Sequence, residues 1–236
     1  MPVILNIETS AQMCSVSLSA DGNLIGYKES TENNTHASLL GLYIDGLLKE
    51  NNLEAIKLDA VAVSKGPGSY TGLRIGVSTA KGLCYGAGIP LIGISTLECM
   101  AYSVAHEDMF KSGADQNAWL CPMIDARRME VYTAFFNTDA ERMTETHADI
   151  ITPESYKELL DRRPVYFFGS GAVKCQKSIV HPHAFFSINR EPSAKDMIPL
   201  SESAFRMKKF EDVAYFEPFY LKDFVATTPK KSILTL

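Results

Sequence analysis

The sequence lacks most of the patterns by which small-site chemistry announces itself. Its five cysteines, Cys14, Cys84, Cys99, Cys121 and Cys175, are scattered and odd in number, and none forms a CxxC. That argues against a zinc ribbon and against a disulfide framework. They read instead as small core residues in a reducing compartment. No HExxH occurs. No apolar run approaches the ~20 residues of a membrane span, so no membrane contact is expected. The opening stretch MPVILNIETS has no basic n-region and only a short apolar run, which predicts a soluble cytoplasmic protein without a secretory signal. Basic residues come only as the pairs Arg127-Arg128, Arg162-Arg163, Lys208-Lys209 and Lys230-Lys231. With a formal net charge of −5, the chain has no basic balance for holding nucleic acid unaided. A partner is expected to supply most phosphate contacts.

What is present is a foldable chain. Its 236 residues, 46% hydrophobic and 22% charged, suffice for one large domain or two small ones, with disorder expected only near the C-terminus. VILNIE (3–8), CSVSLS (14–19) and LIGYKES (24–30) read as a three-strand meander, with the Asp-Gly hairpin signal at Asp21-Gly22. Residues 36–50 are helical, because Leu39, Leu40, Tyr43, Ile44, Leu47 and Leu48 recur at spacings of three and four. These apolar positions cover an arc of roughly 180° at ~100° per residue. Either the helix is well buried, or one edge packs on its own sheet and the other on a partner. LDAVAVSK (58–65) is a buried strand, a helix follows from about 72 to 85, and IPLIGIS (89–95) is a further strand.

The second half repeats this order. AWLCPMIDA (118–126), MEVYTAFFN (129–137) and TDAERMTET (138–146) predict strand, strand and returning strand. TPESYKELLD predicts a helix over 152–161, capped by Thr152 with Pro153 at its first position, and PVYFFGSGA (164–172) a strand ending in a glycine turn. Two halves with one element order imply duplicated α/β lobes, each a mixed sheet flanked by helices. The expected boundaries are 1–102 and 103–225, with the last helix packing back on the first lobe and a loosely packed tail at 226–236. The join is placed in the polar stretch 103–117.

Between the halves of the first lobe lies KGPGSYTGLRIG (65–76). It is not a P-loop, because no Lys follows its second glycine to reach a phosphate and Lys65 lies before the loop. Nor is it a nucleophile elbow, because Ser69 directly follows Gly68 and the G-x-S-x-G spacing fails. His36, His106, His147, His181 and His183 offer no triad context. In the helix that follows, Gly72, Gly76, Ala80 and Leu83 share one face, and Arg74, Ser78, Lys81 and Tyr85 another. A glycine inside a helix costs ~1 kcal/mol relative to Ala. Gly72, Gly76, Gly82 and Gly86 therefore imply a compensating close approach, either by helix 36–50 of the same chain or by a helix of another subunit. Glu8 and Asp125 end equivalent strands and are expected to face a cleft. They are either phosphate-handling acids or simple strand ends. His181 and His183 make at best a two-ligand site, too few for a metal.

The stretches ILNIETS, CSVSLSADG, DAVAVSKGPGSYTGLRIGVSTAKGL, IPLIGISTLECMA and IDARRMEVYTAFF resemble the TsaB family. That family is the dimerization subunit of the bacterial complex that makes threonylcarbamoyladenosine in tRNA, formerly described as glycoprotease-like or peptidase-like. The resemblance spans residues 3 to about 136, and continues more faintly through FFGSGAVKC and PFYLKDF. It implies an actin-like (ASKHA) fold of two lobes and a catalytically silent paralogue of the TsaD subunit. In TsaD an HxxxH metal motif follows the equivalent strand. Here that segment carries Ser95, Thr96, Leu97, Glu98 and Cys99 and no histidine. Glu8 stands where the family usually has Asp, and Tyr70 where it usually has Phe.

The resemblance implies a scaffold that binds a TsaD-like transferase and, with a TsaE-like ATPase, supports threonylcarbamoyl transfer to the adenosine beside the anticodon. The alternative is an actin-fold phosphotransferase or a glycoprotease-like peptidase. Expected partners are the transferase, the ATPase, a second copy when the chain is alone, and tRNA only through the complex. No cofactor is expected on the chain itself, with ATP or ADP confined to the assembled complex. The expected interface comprises Leu39, Tyr43, Leu47, Ser69, Tyr70, Thr71, Gly72, Arg74, Gly76, Ala80 and Leu83.

Overall fold

A computed structural model describes residues 1–30, 36–107, 110, 116–188 and 190–222. The expected tail 226–236 lies outside these residues, as do residues 108–109 and 111–115 of the expected join 103–117.

The first sheet comprises β1 (Val3–Glu8), β2 (Cys14–Ala20), β3 (Asn23–Ser30), β4 (Ala60–Gly66) and β5 (Leu91–Ser95), in the order β3-β2-β1-β4-β5. The meander is antiparallel, with Val3 opposite Ala20 and Cys14 opposite Ser30, while β1, β4 and β5 run parallel. Parallel neighbours need crossovers, and two helices supply them: α1 (His36–Glu50) and α2 (Tyr70–Ala87). Side chains alternate along β1, so Leu5 and Ile7 face these helices, meeting Leu40, Ile44, Leu47, Val77, Ala80 and Cys84 in one buried cluster. Ile4, Asn6 and Glu8 face the other way. There Ile4 joins Ala60, Ala62, Ile92 and Ile94 under Cys99, Ala194 and Met197.

The second sheet is built from β6 (Trp119–Asp125), β7 (Glu130–Thr133), β9 (His147–Ile150), β10 (Val165–Phe168) and β11 (Ala184–Ile188), in the order β11-β10-β6-β7-β9, with the two-residue β8 (Phe136–Asn137) paired to β6. Helix α3 (Thr96–Ala105) joins the two halves of the core. Its Cys99 packs under the first sheet, and its Leu97, Met100, Ala101 and Val104 pack on Leu120, Ile124, Phe136 and Phe168 of the second half. Two one-turn helices follow, α4 (Lys157–Leu160) and α5 (Ala172–Cys175), whose Leu160 and Cys175 cover the outer face with Met123, Val165 and Phe167. The last helix described, α6 (Ile198–Arg206), lies against β1 and β5. The result is the expected α/β architecture of two mixed sheets flanked by helices.

The second half departs from its sequence pattern in three places. The strand expected at 129–137 is broken at Ala134-Phe135, where Phe135 N–H donates to the Thr144 hydroxyl and turns the chain. The expected returning strand 138–146 is a turn with a single bridge, Phe136 to Arg142, and pairing with β7 resumes only at His147. The helix expected from Thr152 begins at Lys157. Its preceding residue Tyr156 is left-handed, with φ 63°. Tertiary packing explains that break: the Tyr156 ring sits edge-on to Phe135 and stacked on Phe167, and its hydroxyl donates to Asp149 at 2.6 Å.

Candidate docking surface and glycine joint

The loop between β4 and α2 is a joint made within the chain. Ser69 is the N-cap of α2: its Oγ accepts from the Gly72 N–H at 3.3 Å. It therefore does the work of a cap and not of a nucleophile. The Ser69 N–H in turn donates to the carbonyl of Ser10, at 2.7 Å. The turn after β1 is thereby pulled against the helix. A Cβ on Gly72 would stand 2.0 Å from the Thr9 carbonyl oxygen, and one on Gly76 2.2 Å from Thr9 Oγ1. On the other side, the C-terminal segment crosses the same loop. Phe219 N–H donates to the Lys65 carbonyl at 2.7 Å, and Lys81 Nζ donates to the carbonyls of Ala214 and Phe216. The Tyr70 ring lies 4.9 Å from that of Tyr220, with the Arg74 guanidinium 5.5 Å from the Tyr70 centroid.

The small-residue face of α2 is therefore spent inside the chain, and part of the expected interface must be corrected. Leu47, Gly72, Gly76 and Ala80 are buried. The close neighbour that Gly72 and Gly76 accommodate is the Thr9–Ser10 turn, neither α1 nor a second subunit. Leu39, Tyr43, Tyr70 and Leu83 are half-buried, with Tyr43 and Leu83 leaning on the core cluster. Ser69, Thr71 and Arg74 are exposed.

The outward faces of α1 and α2 carry a different set. Leu42 is 65% exposed and Tyr85 87% exposed. Gly41, Gly82 and Gly86 sit in helical positions where an added Cβ would meet nothing within 4 Å. Both helices pack on one side of the first sheet and touch each other, and these positions lie on their exposed sides. The signal for it lay in the expected stripe Arg74, Ser78, Lys81 and Tyr85, of which Lys81 instead ties down the C-terminal segment, and in glycines at 82 and 86 that meet nothing within 4 Å among the described residues.

The candidate acids do not make a shared site. Glu8 is fully buried, and its Oε1 accepts from the Ser10 N–H at 2.6 Å. Burial pushes its carboxyl above the usual range, against the lowering pull of its hydrogen bonds to Ser10. Asp125 is exposed; its Oδ1 accepts from the Arg127 N–H at 2.8 Å and pairs with Lys174. His181 Nε2 lies 3.3 Å from Asp161 Oδ1, His183 Nδ1 lies 2.8 Å from the Leu160 carbonyl, and His183 N–H donates to His181 Nδ1. Among the described residues no group of three or more His, Cys, Asp or Glu could hold a metal ion. A cleft of about 420 Å³ between β5 and α6 is lined by Lys65, Lys209, Glu98 and Glu211. Its two cations are balanced by two carboxylates, and Lys65 is paired with Glu211 at 3.5 Å. No described helix is long and apolar enough to cross a membrane.

Comparison with known proteins decides the family. The family model described as "TsaD: tRNA N6-adenosine threonylcarbamoyltransferase" matches residues 30–163, more than half of the chain. The tRNA threonylcarbamoyladenosine biosynthesis protein TsaB of Escherichia coli is 31% identical over 230 residues, covering 94% of this chain and 96% of that protein. The chain belongs to the TsaB family. The Haemophilus influenzae TsaB protein is 28% identical over 93% of each chain. A Pseudomonas aeruginosa structure described as similar to the peptidase YeaZ superimposes with a TM-score of 0.80 at 23% identity, covering 94% of this chain and all of that one. The fold is thus shared with that protein over nearly the whole length. A Nitratidesulfovibrio vulgaris tRNA N6-adenosine threonylcarbamoyltransferase is 35% identical over 108 residues, 39% of this chain and 30% of that protein.

Proposed function

We propose that this chain serves tRNA threonylcarbamoyladenosine biosynthesis as a non-catalytic subunit that docks a TsaD-like transferase through the outward faces of α1 and α2. The observation that carries the docking surface is the trio Gly41, Gly82 and Gly86. Each is an interior helix glycine with open space beside it, and each costs ~1 kcal/mol relative to Ala. Nothing among the described residues recovers that cost. A helix from another protein, approaching where a side chain would keep it away, does. Exposed Leu42 and Tyr85 then supply the apolar and aromatic anchors that interfaces concentrate. Without the transferase the same surface pairs two copies of the chain.

A non-catalytic role is supported by the burial of Glu8, the engagement of Asp125 with Lys174, and the use of Ser69 as a helix cap. None of these groups is open to a substrate in a reactive arrangement. The TsaE-like ATPase and tRNA join through the assembled complex, and ATP or ADP belongs there too. We further take residues 1–102 and 103–225 as the two lobes of this subunit, working in the cytoplasm. The test is reconstitution with transferase, ATPase and unmodified tRNA, leaving out each component in turn. Threonylcarbamoyl transfer should stop without this chain, and the isolated chain should turn over neither ATP nor peptide. Turnover by the isolated chain that vanished on Glu8→Ala or Asp125→Ala would refute the non-catalytic reading.

A further inference from the structure

The hairpin joining β6 to β7 holds two consecutive arginines in a conformation that arginine does not favour. Arg127 has φ 69° and Arg128 φ 50°. The turn is closed by Ala126 N–H to the Glu130 carbonyl and Glu130 N–H to the Arg127 carbonyl, both at 3.1 Å. The left-handed region suits Gly, Asn and Asp and is costly for long side chains. The same chain shows the easier choice in the β2–β3 turn, where Asp21 (φ 50°) and Gly22 (φ 76°) fill the two left-handed positions. Strained backbone of this kind clusters at functional sites.

The side chains at this tip reverse the charge of the molecule locally. Lys174 pairs with Asp125 and donates to the Glu130 carbonyl, and Lys222 pairs with Glu130 Oε2. Four cations thus stand against two carboxylates, in a chain whose formal net charge is −5. The two lysines neutralise the acids, and the surplus is the arginine pair. Both arginines are exposed, and among the described residues neither guanidinium has a hydrogen-bond or ion-pair partner. No large exposed hydrophobic side chain accompanies them in the turn, as the apolar core of a protein interface would require.

We propose that the β6–β7 tip is a direct contact for the phosphodiester backbone of RNA, with Arg127 and Arg128 as its two guanidinium donors. This rests on the tRNA-modification role proposed above and adds a contact made by this chain's own residues. Planar guanidinium groups bind phosphate oxygens bidentately, which explains two arginines where a turn-favouring pair would fold more easily.

The test titrates a fluorescein-labelled unmodified tRNA transcript with the full chain, alone and with the transferase, between about 50 and 200 mM salt. Arg127→Asn combined with Arg128→Gly installs turn-favouring residues. It should raise the Tm of the chain while weakening tRNA binding roughly tenfold and lowering the log–log salt slope by roughly 1.5. Arg127→Glu with Arg128→Glu should weaken binding further and leave transferase capture intact. Unchanged tRNA affinity and salt slope in both double variants would overturn the proposal, as would loss of transferase capture with tRNA affinity retained, which would make the tip a protein contact. If the wild-type chain captures no transferase, the docking proposal fails separately, and the titration of the chain alone still decides this one.

Discussion

The hydroxyl of Thr9 occupies the space that a methyl group on Gly76 would need, 2.2 Å from the position of its Cβ. A strand-end turn and a helix are thereby locked to one another, and the fully buried Thr9 cannot swing outward to relieve a clash. Gly76→Ala and Gly72→Ala should each destabilise the isolated chain by ~1–3 kcal/mol through overpacking, outweighing the helix propensity gained. Urea denaturation of the isolated chain checks this. Unchanged midpoints would mean the turn after β1 moves away at no cost.

Gly82 and Gly86 share the helix with Gly76 but meet nothing within 4 Å. Gly82→Ala and Gly86→Ala should therefore stabilise the isolated chain, each by ~0.5–1 kcal/mol. Opposite signs for glycines six and ten residues apart on one helix, read by the same denaturation experiment, separate the internal joint from the outer surface.

Glu8 gives a pH dependence of definite sign. Burial holds its folded-state pKa above the ordinary 4.5, so the folded chain keeps the proton longer than the unfolded one. Its contribution to stability is full below the ordinary value and falls as pH rises through the folded value. Glu8→Gln cannot ionise. The Tm of the variant relative to wild type should climb as pH rises from about 4.5, the region where an unfolded carboxyl begins to titrate. A difference that stays flat across that range would show that the carboxyl is ionised and accommodated in the fold.

Lys81 ties the C-terminal segment to α2 through two backbone carbonyls, Ala214 at 3.1 Å and Phe216 at 2.9 Å. Lys81→Met keeps the stem and removes both bonds. Hydrogen bonds from charged groups each contribute ~1.5–3 kcal/mol, and the half-buried setting reduces this, so a loss of about 1 kcal/mol is expected. Faster amide exchange at Phe219, whose N–H donates to Lys65, should accompany it.

Much of the first half was legible because its elements are long and regular. The short apolar run of β1, the alternation in β2, the Asp21-Gly22 turn and the three-and-four spacing of α1 all correspond to observed elements. The second half was less legible because local pattern yields to packing there. Tyr156 reads as the middle of a helix and instead takes a left-handed conformation so that its ring can sit between Phe135 and Phe167. The candidate surface was half legible. Sequence spacing put Gly72 and Gly76 on one stripe, but a long-range neighbour such as Thr9 leaves no mark at helical period. The stripe of Arg74, Ser78, Lys81 and Tyr85 was visible, yet nothing in the spacing distinguished which stripe faced the core or that Lys81 would bond the C-terminal segment.

The docking surface is tested most directly by measuring the affinity of the purified chain for the TsaD-like transferase with Leu42→Asp and Gly82→Leu combined. Both positions are exposed, Leu42 at 65% and Gly82 with open space beside it, so the variant should fold and melt no lower than the wild type. The predicted result is a Tm no lower than that of the wild type, with the complex weakened at least roughly a hundredfold, as loss of a packed helix–helix contact at an interface centre implies. A variant that melts normally and binds the transferase with wild-type affinity would contradict it.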